Sequence, residues 1–237
     1  GGRGFWPVTV ELLSRLVALR GAAVIGLIAY GSYVRAKNRR ELLLAFAGGQ
    51  GWSLVERDDR WAEHFTGAPF DDGDSKEARN ILQGSFRDRA MLAFDYSYET
   101  HSTDSKGNQS TSSHRYSVAV LHLPGWLPTV ELVPEGVFGR LGTALGMQDI
   151  EFESEDFNRA YRVRADDPKI AYDVLNPRAM ELLVSRRGQH LRLAGTDAIC
   201  WESGSYRPAD LLARLDTLHR LLGGIPPFVW SDLKGSP

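Results

Sequence analysis

The feature that most constrains this chain is an apolar run with a basic stop. Leu16 to Val34 is 19 residues with a single charge, Arg20, and it ends abruptly at Arg35, Lys37, Arg39 and Arg40. As a helix the run is roughly 28 Å long, against a hydrocarbon core of about 30 Å. Arg20 lies one turn from the N-terminal end of the run. There its aliphatic stem can snorkel to the headgroups, at less cost than a mid-bilayer arginine. Tyr30 and Tyr33 sit near the other end, where interfacial aromatics belong. The run predicts a single-pass transmembrane helix that meets membrane lipid through residues 16–34, with Arg35, Lys37, Arg39 and Arg40 flanking it. Two other readings stay open. Gly21 to Val34 alone is 14 residues, a length typical of a helix buried in a globular body. An interfacial amphipathic helix is the third. A cleaved signal peptide fits poorly, because the stronger charge follows the run and no small-residue cleavage pattern comes after it.

Charge divides the chain in the same place. Residues 1–40 hold seven Lys/Arg and one acid, about +6 in a chain of net charge -2, so the rest carries about -8. The positive-inside rule then puts the body, C-terminal to Arg35, in the cytoplasm, with Arg3, Arg15 and Arg20 pulling the other way. A mildly acidic body is a poor match for nucleic acid, which needs a basic face. One cysteine, Cys200, excludes an intrachain disulfide and a multi-cysteine zinc site. The expected organisation is an N-terminal membrane-anchor helix and basic flank, residues 1–38, followed by a single α+β globular domain, residues 39–237.

The body reads as short elements around long antiparallel strands. Arg39–Ala47 continues as helix, with Gly48, Gly49 and Gly51 to end it. Trp52–Glu56 is a strand, and Asp58 or Asp59 caps a brief helix carrying Trp61 and Phe65. After a polar loop, Ala78–Phe86 is a strand. In "AMLAFDYSYETHS", Phe94, Tyr96 and Tyr98 alternate with Asp95, Ser97 and Glu99, the period of a half-buried strand. "HRYSVAVLHLP" is its hairpin partner, with Tyr116, Val118 and Val120 on one side and a Lys-Gly-Asn turn at the tip. "TVELV" adds a fourth strand, closed by Pro134. Val137–Leu145 is expected to be helical. "DIEFES" is a strand with Asp149, Glu151 and Glu153 on one face. Ser154 caps a helix, Pro168 and Pro177 each open another, and "HLRLAGTDAICWESG" reads as a hairpin turning near Gly195. Leu211, Leu212, Leu215, Leu218 and Leu222 mark an amphipathic helix stopped by Gly223-Gly224. The fold class is α+β: an antiparallel sheet with a long hairpin and packed helices, preceded by the transmembrane-like helix.

The order of these segments is similar to a known family. An apolar N-terminal segment leads into a basic helix and a Gly-Trp strand. "FDYSYET" and "HRYSV" then precede "QDIEFESEDFNRAYRV", "DDPKIAYDVLNPRAMELL" and a closing "IPPFVW". Together these resemble bacterial DUF3137-type proteins, notably the actinobacterial forms, over nearly the whole chain. The resemblance implies a membrane anchor and supplies no catalytic residues.

Local chemistry is sparse. The histidines His64, His101, His114, His122, His190 and His219 form neither HExxH nor a close pair. His101 and His114, facing across the hairpin with Asp104, would make a surface metal site; solvated strand ends are the plainer reading. Asp149, Glu151 and Glu153, on one strand face, would suit Ca²⁺ or acid/base work, although a solvated sheet face needs no ligand. "DDGD", Asp71 to Asp74, echoes a calcium loop without its later glutamate. Cys200 beside Trp201 reads as a buried thiol, and Trp52, Trp61 and Trp126 as packing. Arg159, Arg162 and Arg164 are interleaved with acids, which favours salt bridges over anionic lipid. No G-x-S-x-G, Walker A or G-x-G-x-x-G occurs, so catalytic residues are unassigned, and neither a cofactor nor a metal is expected. The sequence-level expectation is a binding or structural role at the cytoplasmic membrane face. The rivals are a hydrolase-like enzyme assembled only in three dimensions, and a soluble binding module whose first helix packs on its own body.

Overall fold

The computed structural model describes residues 6–136 and 147–232, without the side chains of residues 6–26, 28 and 232. The chain divides into two compact units, residues 1–46 and 47–237. The described part of the first is helix α1 (Trp6–Gln50), 45 residues long, which runs on into the start of the second. Gly48 and Gly49 do not end it, because glycine inside a helix costs only about 1 kcal/mol. Gly51 ends it. At φ +71° it lets Trp52 N–H reach the Ala47 carbonyl at 2.8 Å and its own N–H reach the Gly48 carbonyl at 3.3 Å. That crossed pair satisfies the last free carbonyls of the helix. Along α1, Leu27, Tyr30 and Tyr33 are exposed. Among the described residues no helix is long and apolar enough to cross a membrane; most side chains of the apolar run lie outside them.

The second unit is α+β, built on a seven-stranded antiparallel sheet. Its strands are β1 (Ser53–Arg57), β2 (Asp74–Phe86), β3 (Arg89–Thr103), β4 (Gln109–Pro134), β5 (Gln148–Ile150), β6 (Tyr161–Ala165) and β7 (His190–Ser203). The helices are α2 (Arg60–His64), α3 (Glu155–Ala160), α4 (Pro168–Val174), α5 (Pro177–Ser185), α6 (Pro208–Gly223) and α7 (Pro227–Asp232). The expected helix at Val137–Leu145 lies outside the described residues.

Two sequence expectations fail together, at β4. "HRYSVAVLHLP" and "TVELV" are not separate strands but one strand of 26 residues. Its first part pairs with β3 and its last five residues with β6, while β7 runs beside it along the opposite edge. The ladder to β7 is interrupted between His122 and Val130. Pro124, Gly125 and Pro128 fall in that gap, where no ladder donor is needed. For the same reason β7 makes no turn at Gly195; it follows β4 past the irregularity, with Gly195 at φ +59° opposite Leu127. "DIEFES" contributes only Asp149 and Ile150 to β5, so Glu151 and Glu153 do not share a strand face with Asp149.

The long hairpin is as the alternation predicts. Phe94, Tyr96 and Tyr98 are buried with Val118 and Val120, under Ala62, Phe65 and Phe70 from α2 and the loop after it. The other face, with Ala119 and Cys200, meets α6, whose Arg214 donates to the Ser117 carbonyl at 3.0 Å. Around β6, Phe157 is fully buried, its ring 5.3 Å from Phe152 and 5.8 Å from Tyr161. Ser154 caps α3 through its hydroxyl and the Phe157 N–H.

Candidate functional site

Among the described residues, two clefts of the second unit are ligand-sized: one of about 420 Å³ brings Asp149, Glu151 and Arg162 together with Glu135, and the other sets polar groups over an apolar floor. The apolar floor is set by strand register. Gln83, Leu92 and Val120 lie side by side across β2, β3 and β4, so alternation brings all three side chains out on the α2 face. Two residues further along, Ala90 stands on β3, and His122 pairs with Asp197 across β4 and β7. α2 forms the wall with Trp61, His64 and Phe65, and Met91, Gly84 and Thr196 complete the lining. The cavity measures about 460 Å³, within the range of small-molecule pockets, roughly 300–1,000 Å³.

The polar groups gather at its mouth. His122 Nδ1 lies 3.2 Å from Asp197 Oδ1, and His64 Nε2 lies 4.0 Å from the other carboxylate oxygen. The His64 ring packs edge-on against Trp61, centroids 5.3 Å apart, and against Phe65 at 4.9 Å. Asp197 is the more sheltered partner, with 21% of its side chain exposed against 55% for His122. Gly84 leaves room for Trp52, whose indole occupies the position a Cβ would take and donates to the Ser85 carbonyl at 2.8 Å.

A buried arginine holds the wall in place. Arg192 pairs with Glu131 at 2.5 Å and donates to the carbonyls of Ala68, at 2.8 Å, and Thr66. Its guanidinium also lies 5.1 Å from the centre of the Trp201 ring. Gly67, at φ +78°, sits against the guanidinium where a Cβ would be 2.8 Å away. The network satisfies carbonyls of the loop that carries Phe65 and Phe70, so the loop has one position.

The residues singled out in the sequence are placed elsewhere. His101 pairs with Thr111 and His114 with Tyr98, so the two histidines leave opposite faces of the hairpin and make no site with Asp104. Asp104 instead closes the tip, accepting from Lys106 N and Asn108 N. Asp149 is bound by Arg162 and, at 3.2 Å, by Arg164. The Arg162 hydrogen bond holds its carboxyl below the ordinary range. Glu151 and Glu153 lie past the end of β5. Arg159 pairs with Asp156 at 2.7 Å. Asp71 closes its own loop by accepting from Gly67 N at 2.7 Å. Burial pushes the Cys200 thiol up to about 12, which removes it as a nucleophile. Among the described residues no three His, Cys, Asp or Glu side chains could hold a metal ion. Arg35, Lys37, Arg39 and Arg40 follow the apolar run on the unbroken helix α1.

Chemically, the mouth offers two imidazoles, a carboxylate, the Gln83 amide and the Thr196 hydroxyl over an apolar floor. A histidine oriented by an aspartate is the pairing a general base uses, but the lining holds neither serine nor cysteine.

No family model and no curated protein matches the chain. Among solved structures it is similar to the crystal structure of the mycobacterial trehalose monomycolate transport factor A, TtfA. The TM-score is 0.60 at 12% identity, covering 79% of this chain and 96% of that one. At that identity the likeness is one of fold.

Proposed function

We propose that this chain is a membrane-anchored α+β binding domain that holds the apolar part of a lipid-like ligand in the cleft between α2 and the sheet. The observation that carries the reading is the cleft itself, ligand-sized and apolar below a polar mouth. The anchor is α1, spanning once through residues 16–34 with Arg35, Lys37, Arg39 and Arg40 at the cytoplasmic headgroups. The DUF3137-type resemblance belongs to the same proposal. The similar fold carries the name of a trehalose monomycolate transport factor, which supports a role in lipid transport over a purely structural one. The chemistry is binding rather than turnover.

The test is photolabelling of the full chain in membranes with an alkyl diazirine probe, followed by peptide mapping. Labels should fall on Phe65, Leu92 and Val120, and Ala90→Trp, which fills the mouth from an exposed position, should abolish them. Labelling of the variant equal to that of the parent removes the cleft from the proposal.

A further inference from the structure

The chemistry of the mouth selects the head of the ligand, given the reading of the cleft as a binding site. We infer that the ligand is an uncharged amphiphile with a hydroxylated, sugar-like head, its chain on the apolar floor and its hydroxyls at His64, His122, Asp197 and Gln83. Three observations lead there.

The first is charge. Neither lysine nor arginine lines the cleft, and its one formal charge is Asp197. An anionic head would meet that carboxylate with no lysine or arginine in the lining to offset it, and Arg89 donates to the His122 carbonyl at 3.3 Å; the repulsion is sharpened by the low dielectric of a partly buried site. His122 takes one oxygen of the carboxylate and the His64 ring stands 4.0 Å from the other, which crowds the approach of a bulky cationic head. The second is the kind of hydrogen bonding on offer. Each imidazole turns one nitrogen to Asp197; with the N–H on that side, the other nitrogen of the neutral ring is an acceptor for a hydroxyl. Gln83 adds an amide and Thr196 a hydroxyl. Acceptor nitrogens beside an amide and a hydroxyl that both donate and accept match the hydroxyls of a neutral head. The third is Trp61, half-buried and fixed edge-on to His64 at the wall. It presents a flat apolar face on which the C–H face of a sugar ring can lie.

The test uses the full chain in phosphatidylcholine nanodiscs and four probes with the same chain: octanol, octyl β-glucoside, octyl phosphate and octyltrimethylammonium, each below its micelle concentration. Binding is read by calorimetry as the difference between the parent and Ala90→Trp, which removes partition into the lipid. Thr196→Trp, also at an exposed position of the mouth, serves as a second filled cleft should Ala90→Trp not fold. The glucoside should bind about tenfold more tightly than octanol, the worth of one or two neutral hydrogen bonds, and more tightly than either charged probe. Asp197→Asn and His122→Ala should each bring the glucoside down to the affinity of octanol and leave octanol unchanged. A glucoside no tighter than octanol overturns the sugar-like head and leaves the cleft as an apolar site. A phosphate or ammonium probe that binds tightest overturns the head-group inference in favour of that charge. No difference between the parent and either filled variant, for any probe, overturns the cleft as a site and the inference with it.

Discussion

At the residue scale, two histidines in one sheet have opposite relations to solvent. His122 is half-exposed and turned to Asp197. His190 is buried, its ring stacked on Trp201 at 5.1 Å and 17°, and burial pushes its pKa down to about 4 despite the opposing charge of Glu131. The unfolded chain takes up a proton near pH 6.5 that the folded one refuses until about pH 4. Between those values the unfolded state holds more protons, so stability falls as pH falls. At pH 5 the loss from this group approaches about 2 kcal/mol. His190→Phe keeps an aromatic ring against Trp201 and has nothing to titrate. Urea denaturation of both proteins at pH 7 and pH 5 should show the parent losing about 2 kcal/mol more than the variant. Equal losses would mean that His190 accepts its proton without unfolding. The residues of the cleft were illegible for a related reason. His122 and Asp197 are 75 positions apart, and no spacing rule joins them. One signal did exist: His122 continues the inward alternation of Val118 and Val120, a polar side chain on an otherwise apolar face.

At the element scale, period-2 alternation was a sound guide wherever a strand was buried on one face. The β3–β4 hairpin, with Tyr96 opposite Tyr116, follows directly from it. Length was not legible. Proline and glycine at 124–128 and Gly195 punctuate a sequence as turns do, whereas here they occupy a break in the ladder of two continuous strands. Which use a Pro-Gly pair serves depends on whether a neighbouring strand continues past it, a fact of tertiary pairing. Burial near α3 was legible: Phe152, Phe157 and Tyr161 all lie inside, although Tyr161 ends the helix rather than sharing its face. The hairpin tip gives a prediction of its own. Residues 101–113 are all exposed and are joined by ladder bonds and small polar pairs such as Ser102–Ser110 at 2.7 Å. Each such pair contributes about 0.2–1 kcal/mol, and the shorter loop of a two-residue turn offsets part of that loss. Replacing residues 102–110 with an Asn-Gly turn should therefore shift the melting midpoint by no more than about 4 °C. A fall on the order of 10 °C would show that the tip steadies the buried part of the hairpin.

At the scale of the whole molecule, the proposal rests on two separable parts, and truncation separates them. α1 is 45 residues long, about 67 Å at 1.5 Å per residue, twice the hydrocarbon thickness. In the proposed span only part of it is immersed, and the composition says which: the run to Val34 is apolar, and the 16 residues from Arg35 to Gln50 begin with four basic side chains in six positions. The sheet of the second unit, by contrast, has its core within residues 47–237. Removing residues 1–38 should release a folded protein into the aqueous supernatant after membranes are pelleted and washed with alkaline carbonate, and the full chain should stay in the pellet. The released protein should melt cooperatively, since its core is intact. A full chain that washes into the supernatant refutes the span and leaves α1 a helix of the protein alone. A truncated chain that still pellets while melting cooperatively points to lipid binding by the body itself, with the cleft and its aromatic wall as the first place to map that contact.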